Sequence, residues 1–166
     1  MDSTQNVLNF FEQISAIPRG TGREAQLRGW LRAWADRRQL PWSVDEAGNL
    51  VIRVPATSGF ENAPVIVLQG HMDMVCEKTP DSLHDFTRDP IRCIVEGEWL
   101  RADRTTLGAD NGIAIALAMA LVEDESVGHP PLELLFTVEE EVGIGGANKL
   151  RPGFITGKVQ IGRAHV

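Results

Sequence analysis

The chain has 166 residues, 43% hydrophobic and 23% charged, with a formal net charge of −7. That is the composition of a globular protein with a core of its own, and the acidic balance argues against nucleic acid or an anionic membrane surface as a main partner, since both select clustered Lys and Arg. The start has no basic region followed by an apolar one, no stretch is long enough to cross a bilayer, and Cys76 and Cys93 form neither a CxxC pair nor a disulfide framework, so a reducing cytoplasm is the expected setting.

In chain order, Val7, Phe10, Phe11 and Ile14 fall at helical spacing, and Pro18 ends that helix. Thr21 and Glu24 have capping-box spacing and predict the start of a second helix, with an apolar stripe of Leu27, Trp30, Leu31 and Trp34. Residues 42–45 and 50–54 read as strands around the turn 46–49. The apolar run 64–69 reads as a buried strand, and the polar stretch 77–90 as a surface loop. Residues 91–95 and 98–101 suggest a hairpin around Glu96-Gly97. The segment 113–122 is apolar on all sides, which predicts a helix buried against a sheet. Residues 132–138 form another predicted strand, and a short helix is expected from Ala147 to Leu150, before Pro152. Alternating helices and strands place the chain in the α/β class, with a mixed, mostly parallel sheet flanked by helices.

Three polar groups sit where strands end or helices begin. The first is His71 and Asp73, directly after the run 64–69. Positions 71 and 73 share a face if strand geometry persists, so His71 could bind a metal while Asp73 orients the ring and raises its basicity. The second is Asp110, just ahead of the buried helix; the third is Glu139-Glu140-Glu141, after the strand 132–138. Each has a plainer reading: a hydrogen-bonded core histidine, a helix cap, a solvated charge run. Converging beyond the carboxyl ends of strands, the three acidic groups would repel one another unless cations or protons neutralise them, and a metal site explains them jointly. Cys76 lies five residues after His71 and invites a zinc reading, but a small, buried or partly buried thiol is the favoured one.

The runs Gly70-His71-Met72-Asp73-Met74-Val75-Cys76-Glu77-Lys78, Thr105-Thr106-Leu107-Gly108-Ala109-Asp110-Asn111-Gly112-Ile113 and Pro130-Pro131-Leu132-Glu133-Leu134-Leu135-Phe136-Thr137, with Glu140-Glu141-Val142-Gly143, resemble the M20 metallopeptidases, in particular their peptidase D branch. Phe11 to Arg19 is similar to the same family's opening helix. The resemblance implies the catalytic domain of a zinc-dependent exopeptidase with two Zn2+ ions, Co2+ or Mn2+ being alternatives, acting on small peptides such as Xaa-His and other dipeptides. By motif position, His71 is a ligand of one zinc, Asp73 its orienting partner and Asp110 the carboxylate shared by both ions. The family pattern Glu-Glu-x-Gly, with Gly143 setting the register, implies Glu140 as general base and Glu141 as ligand of the second zinc, with Glu139 outside the pair. A cis peptide between Asp110 and Asn111 is also implied. An aminoacylase, a tripeptidase, or a fragment without activity of its own are the competing readings, and a homodimer is an open option for the full-length protein.

The chain also departs from the family, which is longer and has a lid domain and further ligands downstream, an acid and a histidine. On this reading residues 1–161 are the amino-terminal part of the catalytic domain. Each zinc would keep one terminal ligand plus the shared carboxylate, too few for a tetrahedral site, so little or no peptidase activity is expected of these 166 residues alone. The last six, Ile161 to Val166, do not resemble the family and match one translated frame of a sequencing adapter; residues 162–166 are expected to be a non-native tail, and His165 not to be a ligand. Arg104 stands where the family usually has Gly, a mismatch if the position needs a positive φ.

Overall fold

A computed structural model describes residues 3–162. Two amphipathic helices come first, α1 (Ser3–Ser15) and α2 (Ala25–Arg37). The antiparallel pair β1 (Trp42–Val44) and β2 (Leu50–Val54) follows, and then β3 (Ile66–His71). A separate hairpin, β4 (Cys93–Glu96) and β5 (Trp99–Ala102), precedes α3 (Ala109–Glu123), β6 (Leu132–Thr137), the short α4 (Gly145–Asn148) and β7 (Val159–Ile161).

The main sheet has the order β1-β2-β6-β3-β7. Its first two pairings are antiparallel and its last two, β6 with β3 and β3 with β7, are parallel, so the sheet is mixed, as the α/β reading expects. All six residues of β6 are buried. Alternation sorts them by face. Leu132, Leu134 and Phe136 join the core formed by Phe11, Ile14, Leu27, Leu31, Trp34, Ile115 and Met119 of the three long helices. On the other face, Glu133 accepts hydrogen bonds from the main chain of Thr156 and Gly157, and Leu135 and Thr137 line a cavity together with Ile144, Ala147 and Leu150. Register then places His71 beside Thr137, so the carboxyl ends of the parallel strands β3 and β6 are level.

One local expectation is corrected. The capping box is not formed: Glu24, at the N-cap of α2, makes no side-chain cap bond. Thr21 donates its hydroxyl to Asp73 instead, and Glu24 Oε1 accepts the N–H groups of Gly22 and Glu139. The apolar helix packs on the sheet as expected, with Ile115 and Met119 in the core, and also against α1, while Leu117 is 52% exposed.

Candidate metal centre

His71 is the last residue of β3, and its imidazole is 2% exposed. The strand does not persist to Asp73. The chain turns, and His71 Nδ1 donates to the main-chain oxygen of Asp73 at 3.0 Å, with the Asp73 carboxylate 3.4 Å from the same nitrogen. Proton donation from Nδ1 leaves the lone pair of Nε2 for another partner. Nε2 lies 3.1 Å from Asp110 Oδ1 and 3.6 Å from Glu140 Oε2. Burial pushes the imidazole pKa down, but Asp73, Glu140 and Asp110 outweigh it and leave the pKa raised.

Asp73 is fully buried. Its Oδ1 accepts the N–H of Glu140 at 3.0 Å; its Oδ2 accepts the N–H of Glu141 at 3.1 Å and the Thr21 hydroxyl at 2.9 Å. Burial alone would raise its pKa. His71, the two main-chain donors and Thr21 instead hold it at about 2. One carboxylate thus fastens the loop after β6 to the loop after β3.

Asp110 does not cap α3. The N-cap is Gly108, no side-chain cap bond is made, and the Asp110 backbone (φ −83°, ψ 107°) is not helical. The Asp110–Asn111 peptide is cis. The side chain is 47% exposed and turns Oδ1 toward His71. Glu140 is buried and Glu141 only partly so. Burial raises the pKa of Glu141; the charge on His71 opposes this, while Glu140, Asp110 and Asp73 push the same way. Glu139, at φ 54°, is paired with Lys149 at 3.4 Å.

One ligand atom each from His71, Asp110 and Glu141 can be chosen so that all lie within 4.8 Å of one another. A nitrogen and two carboxylate oxygens suit Zn2+, Co2+ or Mn2+. The carboxylates of Asp73, Glu140 and Asp110 around His71 favour positive charge on its ring. A cavity of about 180 Å3 adjoins the cluster, lined in part by Gln69, His71, Asn111, Thr137 and Glu140. Two contributors escaped the sequence reading: Thr21, whose spacing to Glu24 mimicked a cap, and Arg19, read only as the end of the family-like opening segment. Cys76 lies outside the cluster, and its thiol-bearing residue is exposed rather than buried, in a loop beside Gly20. His165 and the rest of 163–166 lie outside the described residues.

No helix among the described residues is long and apolar enough to cross a membrane. No protein-family model matches the chain. It is 44% identical over 159 residues to the cytosol non-specific dipeptidase of Escherichia coli K12, covering 96% of this chain and 33% of that protein. Among solved structures, the aminoacylhistidine dipeptidase of Vibrio alginolyticus superposes with a TM-score of 0.91 at 41% identity, over 93% of this chain and 32% of that one. A tripeptidase of Staphylococcus aureus gives 0.77 at 25% identity, over 94% of this chain and 42% of that one. The chain spans about a third of the length of the curated relatives it matches.

Proposed function

We infer that this chain, a relative by sequence and fold of the peptidase D dipeptidases, carries one side of a two-zinc dipeptidase centre. The observation that carries the reading is the convergence of His71, Asp110 and Glu141 at the carboxyl ends of β3 and β6 and the start of α3, with Glu140 beside them. His71 would hold one ion, Glu141 the other, and Asp110, with two carboxylate oxygens, both. When bound, the zinc ions supply Lewis acidity for the scissile carbonyl and lower the pKa of a water to near neutrality.

The rest falls to the chain's own groups. Glu140 serves as general base, accepting a proton at its carboxylate and delivering it to the leaving amine. Asp73 holds the Glu140 N–H, so the base is anchored through its main chain. The Nδ1 hydrogen bond of His71 keeps Nε2 turned into the cluster. Dipeptides, Xaa-His among them, are the proposed substrates and the cytoplasm the proposed setting. The higher identity and TM-score of the dipeptidases favour these over tripeptides. The three ligating side chains among the described residues are too few for two closed tetrahedral ions, so little or no hydrolysis is proposed for these residues without further ligands.

A chimaera tests the reading. Grafted in place of the matching 159 residues of the E. coli relative, the chain should sustain Xaa-His hydrolysis. Glu140→Gln in that chimaera should retain zinc and lose about 10²- to 10⁴-fold in turnover. Undiminished turnover in Glu140→Gln would remove the base assignment.

A further inference from the structure

Arg19 is 1% exposed, among the most buried side chains of the protein, and lies in the segment between α1 and α2. Its guanidinium is occupied with main-chain oxygens of two loops. Nη1 donates to the carbonyls of Met72 at 3.0 Å and Asp73 at 3.3 Å, in the turn that follows His71. Nη2 donates to the carbonyl of Gly108, two residues before Asp110. The Arg19 carbonyl in turn accepts the N–H of Met74 at 3.2 Å. Asp73 O thereby serves two donors, Arg19 Nη1 and the His71 ring, so the guanidinium and the imidazole are fixed against the same atom.

The second loop is shaped around this side chain. A Cβ at Gly108 would stand 2.5 Å from Nη2, and one at Gly112 would stand 2.7 Å from it. Glycine on both sides of Asp110 is what lets the guanidinium reach between the loops. A buried cation without good partners is costly; here its charge lies beside Asp73, and its planar fork meets carbonyls that a lysine ammonium could not span. We propose that Arg19 is the positioning residue of the metal centre, tying the turn after His71 to the loop before Asp110 and so setting the separation of these two ligands. The proposal rests on the metal reading above.

Cobalt titration of the metal-free chimaera separates the two claims, with visible absorption reporting ligand geometry and circular dichroism reporting the fold. Arg19→Lys keeps the charge but not the fork. It should bind Co2+ roughly 10- to 100-fold more weakly, the range for loss of a group that orients ligands, with altered visible bands. Gly112→Ala, which helix propensity favours, sets a methyl against Nη2 and should change the bands in the same sense. A folded Arg19→Lys with unchanged affinity and bands overturns the proposal and leaves the metal reading standing. If Arg19→Lys does not fold, Gly112→Ala decides alone: weaker binding with altered bands supports the proposal, and unchanged binding overturns it. An unsubstituted chimaera that binds no Co2+ overturns the metal reading and this proposal with it.

Discussion

The carboxylate of Asp73 accepts a hydroxyl and two main-chain N–H groups, and lies 3.4 Å from the His71 ring. The His-x-Asp spacing suggests only the last of these. The N–H donors of Glu140 and Glu141 are 67 and 68 residues away in sequence, and no local pattern reports a contact of that span. Thr21 illustrates the converse, a residue whose local signature is satisfied on paper by a helix cap and spent in the fold on a buried carboxylate. Arg104 is the residue at which the sequence reading asked for a positive φ. It adopts φ 58°, the left-handed region that a glycine would enter freely. Its ion pairs with Asp81 at 3.3 Å and Asp103 at 3.4 Å are exposed and offset little of that strain. Arg104→Gly should therefore raise the melting temperature by roughly 2–4 °C in a domain of this size, measured by thermal denaturation; a lowered melting temperature would show that the ion pairs outweigh the backbone.

At the scale of elements, both long amino-terminal helices, β1 to β3, the hairpin, α3 and β6 were legible, because each carries an unbroken period of 3.6 or 2, or an apolar run bounded by turn residues. Boundaries drifted where the signal was tertiary. β3 runs on to His71 because Gly70 and His71 pair with Phe136 and Thr137. α4 begins at Gly145 rather than Ala147, its first N–H groups bonded to Glu139 and Val138 carbonyls. Asn49 joins these elements. It is fully buried; its Nδ2 donates to Asp45 and to the Gly146 carbonyl, and its Oδ1 accepts the Val138 N–H. Asn49→Ala would strand the buried N–H of Val138 just ahead of the Glu139–Glu141 loop, at a cost of about 1–3 kcal/mol. Urea denaturation with an unchanged slope would register it, and a loss below about 1 kcal/mol would mean that the β1–β2 turn and the site loop are held together by other contacts.

Across the whole molecule, the parallel half of the sheet decides where the chemistry collects. Among the described residues, β3, β6 and β7 are the strands paired in parallel, and the ends of β3 and β6 deliver His71 and the Glu140-Glu141 pair to one place, beside the non-helical start of α3. The fold class was apparent from the order of strands and helices, and the three acidic loops marked where a site could form, but only the resemblance to the family's Glu-Glu-x-Gly pattern singled out Glu140 and Glu141 over Glu139. Which atoms face one another was not apparent, since that depends on the turn at Met72-Asp73, the buried Arg19 and the αL residue Glu139. The central claim is that His71 and Glu141 each serve one ion of a two-ion centre and that Asp110 serves both. Calorimetric titration of Zn2+ into the metal-free chimaera and its Asp110→Ala and Glu140→Gln variants tests it most directly. The account predicts binding to the unsubstituted chimaera, retained affinity in Glu140→Gln, and a loss of more than about 100-fold in Asp110→Ala, beyond the range of a merely orienting group. Equal affinity in Asp110→Ala, or no binding to the unsubstituted chimaera, would contradict it.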